Sequence, residues 1–202
     1  MTEIKFGTDG WRAVLNKDFT FENTLKVVNA LAIYIYNESE FNKKILIGYD
    51  PRNKADEYAQ YIAKELSDFG FEVLLSDKII ATPVLAYSAK LLNSYAIMLT
   101  ASHNPPEYLG IKFIPPYGGP AEDSAVKIIS NNLENHFTDK KESKEYKITA
   151  FEQKYIKHIE NIIDLEKIKL SNICINYDGH HGAAGKLFKH ILDLHEIKNV
   201  SE

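Results

Sequence analysis

The sequence predicts an α/β fold: a mainly parallel, mixed sheet covered by helices in α/β/α layers, with a truncated second α/β region behind it. Two observations carry the prediction. Short apolar runs alternate with stretches of helical period along the first part of the chain, and turn or capping residues stand at the junctions. Such alternation argues for parallel strands joined by helices, with ligands in the crevice beyond the carboxyl ends of the strands.

The elements follow in order. Thr20 can cap a helix carrying Leu25, Val28, Leu31 and Ile35. Ile45-Leu46-Ile47 reads as a strand. Ala55, Ala59, Ile62, Leu66 and Phe69 then recur at helical spacing, and Gly70 supplies a stop. Val73-Leu74-Leu75 is the next strand. Thr82-Pro83 offers an N-cap with proline at the first helical position, for a helix running through Leu91. Ala96-Ile97-Met98-Leu99 is the third strand of this kind. After Phe113-Ile114 comes a rigid turn, Pro115-Pro116-Tyr117-Gly118-Gly119-Pro120, and a helix with Ala125, Ile128, Ile129 and Leu133.

The stretch from Thr138 to Glu145 is strongly charged and lacks large apolar residues, as an exposed linker does. The expected division is a first domain over residues 1–137, a linker over 138–150, and a second α/β region over 151–202. That region has a helical pattern at Phe151, Tyr155, Ile159, Ile162 and Ile163, a strand at Ile173-Cys174-Ile175, the loop Asp178-Gly179-His180-His181-Gly182-Ala183-Ala184-Gly185, and a helix to about Leu194. About 50 residues is thin for an independent α/β domain, so the sequence reads as cut short.

Composition bounds the function. With 202 residues, 45% apolar and 26% charged, the chain reads as globular. A formal charge of -4 gives no broad positive field for nucleic acid or an anionic membrane. The start has no charged region leading into an apolar one, and no stretch approaches the ~18 apolar residues of a membrane span. A cytoplasmic protein is expected. Cys174 is the only cysteine, which excludes an internal disulfide, and its apolar neighbours predict a buried thiol. Of the 24 Lys and Arg residues only Arg12 and Arg52 are arginine. Where lysine is the ordinary cation, an arginine in a loop often marks a place where a planar fork grips a carboxylate or phosphate.

Three loops lie at the carboxyl ends of the predicted strands: Tyr49-Asp50-Pro51-Arg52, Ser76-Asp77, and Thr100-Ala101-Ser102-His103-Asn104-Pro105. The third puts a hydroxyl beside imidazole and amide groups. A phosphate ester there would carry about -1.5 to -2 charges and would need nearby donors and cations. Asp50-Pro51-Arg52 can reach the same crevice, or it can be a turn braced by its own Asp and Arg pair. A serine hydrolase is a competing class, but Ala101 and His103 flank Ser102 where a nucleophile elbow requires glycines. The remaining histidines, including His180-His181, show no metal-site spacing.

The loop from Thr100 to Pro105 resembles the active-site loop of the α-D-phosphohexomutases, the phosphoglucomutase/phosphomannomutase family. Phe6-Gly7-Thr8-Asp9-Gly10-Trp11-Arg12 and Leu109-Gly110-Ile111-Lys112-Phe113 are similar to two further family motifs. The loop from Asp178 to Gly185 resembles the family's Asp-Pro-Met-His-Gly-Ala-Gly, departing at Gly179 and His180. The resemblance implies an intramolecular phosphotransferase in which phosphoserine at Ser102 exchanges a phosphoryl group with a hexose phosphate through a hexose 1,6-bisphosphate. It implies that His103, Lys112 and Arg12 move protons or stabilise charge, and that Thr100, Asn104, Arg12 and Lys112 line the substrate. It also implies Mg2+ between the Ser102 phosphate and aspartates of an Asp-x-Asp-x-Asp loop. This sequence has no such aspartates, so the missing carboxy-terminal domains are expected partners, and the fragment alone is expected to turn over little or not at all; the alternative is a non-catalytic, truncated fragment that at most binds phosphosugar or pairs with other chains.

Overall fold

The computed structural model describes residues 4–37, 42–139 and 141–201. Met1, Lys140 of the expected linker and Glu202 lie outside them. The elements are β1 (Trp11–Val14), α1 (Phe21–Asn37), β2 (Asn42–Tyr49), α2 (Ala55–Asp68), β3 (Glu72–Ser76), α3 (Thr82–Leu91), β4 (Ser94–Leu99), β5 (Tyr108–Ile114), α4 (Asp123–Asn131), β6 (Lys147–Thr149), α5 (Glu152–Ile162), α6 (Leu165–Leu170), β7 (Ile175–Tyr177), α7 (Ala184–Leu194) and β8 (Asn199–Ser201).

The first six strands form one mixed sheet in the order β1-β5-β4-β2-β3-β6. β2 pairs in parallel with β3 and β4, and β3 with β6, whereas β5 runs antiparallel to both β4 and β1. The period of two along each strand divides the core. Ile45, Ile47, Val73, Leu75, Ile97 and Phe113 join the core under α1, α2 and α4, while Leu46, Ala96, Met98 and Ile114 join one with α3 residues Val84, Leu85 and Ala89. All six residues of β4 are buried, which is why that segment reads as a continuous apolar run. Each fully buried large side chain contributes about 1.5–3 kcal/mol. The α/β/α prediction therefore holds.

Several local expectations hold and others need correction. The Thr20 hydroxyl accepts the Asn23 amide at 3.2 Å and caps α1. Gly70 takes φ +91° just past α2, as a helix stop should. Thr82, by contrast, does not cap α3. Ala81 holds that position and its carbonyl takes the Val84 N–H that a cap hydroxyl would have used. Lys147–Thr149, within the stretch read as linker, pairs beside β3 as an edge strand. The predicted strand over 173–175 is displaced to β7, and Cys174 is exposed, not buried. The reason is that Ile173 and Cys174 precede the two-stranded β7-β8 sheet and pack under no helix.

The later elements pack on the α3 face of the sheet. Tyr87 of α3 stacks on His158 of α5 at 4.4 Å between centroids, and Lys78 pairs with Glu152. Ile156, Leu187 and Ile191 enter the same core as α3. Among the described residues no helix is long and apolar enough to cross a membrane.

One glycine decides how closely β1 approaches the serine loop. A Cβ on Gly110 would lie 2.7 Å from the Thr100 and Trp11 carbonyl oxygens and 2.8 Å from Arg12 Cγ. Two of these three neighbours are backbone and cannot swing aside. Gly110→Ala is expected to cost about 1–3 kcal/mol through overpacking, read as a lower denaturant midpoint at unchanged m-value. An unchanged midpoint would mean that the strands can part freely here.

A strand-end serine loop as candidate active site

Ser102 lies just beyond β4, where the chain leaves the sheet and turns back toward β5. Its φ of +53° is left-handed, a conformation that costs an ordinary L-residue about 1–2 kcal/mol. The bend exposes the serine side chain. The Thr100 hydroxyl accepts the Ser102 amide at 3.0 Å, and the Asn104 amide donates to the Ala101 carbonyl at 3.0 Å. Ser102 Oγ stands 3.4 Å from His103 Nδ1. Among the described residues no carboxylate forms an ion pair with that imidazole, so the third member of a hydrolase triad is not assembled.

Arg12 reaches the loop from β1, and Lys112 of β5 is tied to the same turn through Asp9. Arg12 projects from β1, opposite Gly110 in the sheet register, and its Nη1 donates to Asn104 Oδ1 at 3.1 Å. Lys112, on β5, donates from Nζ to Asp9 Oδ1 at 3.2 Å. Asp9 Oδ2 is also 3.9 Å from Arg12 Nη2. Asp9 sits at the tip of a tight turn closed by mutual backbone bonds between Gly7 and Gly10. Gly10 has φ +87°, and a Cβ there would lie 1.9 Å from the Ile111 oxygen, so only glycine fits. Two cations thus share one carboxylate, leaving one positive charge in excess beside a loop that carries an exposed hydroxyl.

Asp50-Pro51-Arg52 reaches the same loop by its backbone. Arg52 Nη2 donates to the carbonyls of Ser102 and Asn104, both at 2.7 Å, and Nη1 to those of Pro105 and Tyr108 at 2.9 and 3.0 Å. Asp50 accepts the Arg52 amide at 3.0 Å and faces its Nε at 3.7 Å. The turn is braced by its own Asp and Arg, as one of the two readings of the sequence has it, and its guanidinium meets the serine loop through backbone carbonyls. The signal for it was that one of only two arginines stood in a loop at the carboxyl end of a strand.

The candidate residues therefore fall into two groups. Ser102, His103 and Asn104 belong to the loop itself, with Arg12 bound directly to it and Lys112 linked through Asp9. Thr100 is nearly buried and its hydroxyl is spent on the Ser102 amide, so it shapes the loop from within. Tyr49, just before Asp50, has its phenol pushed up by burial and then by Asp56 and Asp77. It is protonated at neutral pH.

The loop from Asp178 comes up to the carboxyl ends of the strands, lining a cleft with Asp50, Thr82, Pro83 and Met98. Its Asp178 carboxylate accepts the His180 amide at 2.8 Å and stands 3.3 Å from His180 Nδ1, so the acid and the imidazole serve the loop's own shape. A cleft of about 830 Å³ runs between Lys78, Glu152, His181 and Lys186 and does not include Ser102. Size does not mark the chemistry here, because hydroxyl, imidazole and cations converge elsewhere.

For a divalent cation the residues present do not suffice. Among the described residues no group of three or more His, Cys, Asp or Glu gathers, and Asp9, the acid nearest the cations, is already shared between Lys112 and Arg12.

The fold and loop define an α/β/α protein with an exposed serine hydroxyl, an imidazole and an arginine gathered at one end of its sheet. Residues 3–140 match the family described as phosphoglucomutase/phosphomannomutase, alpha/beta/alpha domain I. A phosphoglucosamine mutase of Thermotoga neapolitana is 32% identical over 193 residues, covering 94% of this chain and 42% of that protein. A phosphoglucomutase of Staphylococcus aureus is 32% identical over 210 residues, covering 95% of this chain and 37% of that one. A solved structure from Thermus thermophilus, assigned as a phosphomannomutase, superposes with a TM-score of 0.88 at 27% identity, covering 99% of this chain and 46% of that one. The chain belongs to the phosphoglucomutase/phosphomannomutase family. It spans less than half the length of these relatives.

Proposed function

We propose that this chain is the phosphoryl-carrying part of a phosphohexomutase, an enzyme that interconverts hexose 1-phosphate and hexose 6-phosphate through phosphoserine at Ser102 and a hexose bisphosphate. The observation that carries the reading is the exposed Ser102 hydroxyl, held left-handed at a strand end beside His103 and within a loop that Arg12 grips. In the forward half-reaction a sugar hydroxyl oxygen attacks the phosphorus and the bond from phosphorus to Ser102 Oγ breaks. The sugar hydroxyl gives its proton to a side chain of the cluster and Ser102 Oγ takes up a proton as it leaves phosphorus; His103 is the titratable group in contact with that oxygen. Arg12 and Lys112 hold the charge of the moving phosphoryl group. The return half-reaction restores phosphoserine from the other phosphate of the bisphosphate.

The division into a first domain over residues 1–137, a linker over 138–150 and the start of a second domain after 151 belongs to this reading. So does Mg2+ as the cofactor of the whole protein, with the phosphate on Ser102 as the ligand this chain supplies. Exposed ion pairs contribute about 0–1 kcal/mol each, whereas enzymes lower barriers by about 8–23 kcal/mol. The chain alone is therefore expected to show little or no mutase turnover, phosphate uptake by Ser102 being a single slow transfer. The test is intact mass and peptide mapping after exposure to a hexose 1,6-bisphosphate with Mg2+. One phosphate, confined to Ser102, is the expected result. Phosphate on another residue, or none, would overturn the assignment of Ser102, and normal specific activity would overturn the statement about turnover.

A further inference from the structure

Three carbonyl oxygens of the serine loop, those of Ser102, Asn104 and Pro105, and that of Tyr108 where β5 begins, turn toward one guanidinium. We infer that Arg52, seated by Asp50, is the positioning residue of the phosphoryl-carrying loop: it holds Ser102 in its left-handed conformation through the backbone and touches neither phosphate nor sugar. The inference rests on the reading of Ser102 as phosphoryl carrier and adds a residue to it.

The loop needs such a brace for reasons visible in its sequence. Pro105 and Pro106 are adjacent and have no N–H, so that stretch cannot be knitted to the sheet through its own amides. Ser102 is held at φ +53° with neither glycine's freedom nor an Asn side chain to ease it. Such a conformation persists only where the surroundings over-determine it. Arg52 supplies the determination by donating from both terminal nitrogens to carbonyls on either side of the prolines, while Nε faces Asp50 Oδ2 at 3.7 Å. The Asp50 carboxylate also accepts the Arg52 amide, and both side chains are 14% exposed, so the brace is itself fixed. A lysine has one nitrogen and no planar fork, and cannot span the four acceptors.

The experiment uses the full chain with Arg52→Lys, Arg52→Ala and Asp50→Asn beside wild type. The first measurement is the single-turnover rate of phosphate uptake by Ser102 from a hexose 1,6-bisphosphate. Arg52→Lys is expected to lower the maximal rate by roughly 100-fold, the cost typical of a reacting atom displaced by about 1 Å. The half-saturating bisphosphate should stay within about threefold, because Arg12 and Lys112 are untouched. Asp50→Asn should act in the same direction more weakly. Methylguanidinium in the buffer should recover part of the rate of Arg52→Ala. A wild-type rate in Arg52→Lys overturns the inference, as does a rise in half-saturation at unchanged maximal rate, which would mean that Arg52 binds the ligand directly. A rate loss that merely follows the unfolded fraction in thermal melts also overturns it.

Hydrogen exchange keeps the test independent of phosphate chemistry. In Arg52→Lys the amides of Ser102, Asn104 and Tyr108, each of which donates a hydrogen bond within the loop or its flank, should exchange at least roughly tenfold faster while those of α2 and β4 do not change. If wild type takes up no phosphate, the reading of Ser102 fails, and loop exchange alone then decides whether Arg52 positions the loop. Unchanged loop exchange would overturn the inference whatever the chemistry.

Discussion

Ser102→Gly is expected to abolish phosphate uptake while leaving the protein as stable as wild type to within about 1 kcal/mol. The two effects separate because they arise from different atoms of one residue. The hydroxyl is exposed and its one contact, His103 Nδ1 at 3.4 Å, is long, so removing it takes little from the folded state. The backbone sits at φ +53°. Glycine relieves about 1–2 kcal/mol of left-handed strain there, against about 0.5–1 kcal/mol of added unfolded-chain entropy. Ser102→Ala should lose phosphate equally and keep the strain. Intact mass after exposure to a hexose 1,6-bisphosphate reads the first effect, and the denaturant midpoint reads the second. Phosphate retained by Ser102→Gly, on Thr100 for instance, would show that the serine is not the carrier. A loss of several kcal/mol would show that the hydroxyl has a structural bond.

How far the sequence discloses the molecule follows from what each signal measures. Period-two and helical patterns report burial, so β2, β3, β4 and the helices of the first sheet were legible in it. β1 and β5 were not, because their meaning lies in pairing: Gly110 matters only once Trp11 and Thr100 are seen against it. Cys174 misled for the same reason in reverse, since apolar neighbours in sequence do not bury a thiol that no helix covers. At the site, the motif residues Ser102, His103, Lys112 and Arg12 could be named individually. That Arg52 grips four carbonyls and that Asp9 stands between two cations are relations between segments as many as 103 residues apart. No local pattern encodes them.

The shared position of Asp9 makes a quantitative statement about Lys112. Lys112, Arg12 and Asp9 together carry one positive charge in excess, and in the proposed reading that excess meets the roughly -1.5 to -2 charges of phosphoserine. Lys112→Met keeps much of the apolar stem and removes the charge. Asp9 then balances Arg12 alone and nothing is left over for phosphate, so uptake should slow by about 10²–10³-fold, the usual cost of deleting one preorganised charge-stabilising group. If the lysine acts through charge, removing the carboxylate as well must restore the excess through Arg12. Lys112→Met with Asp9→Asn should therefore recover on the order of tenfold over Lys112→Met, although Asp9→Asn alone changes the rate little. Single-turnover rates of the four proteins form a double-mutant cycle whose coupling carries the answer. If Lys112 serves chiefly to give and take a proton, the second substitution recovers nothing, because no neighbouring charge can replace a lost proton carrier.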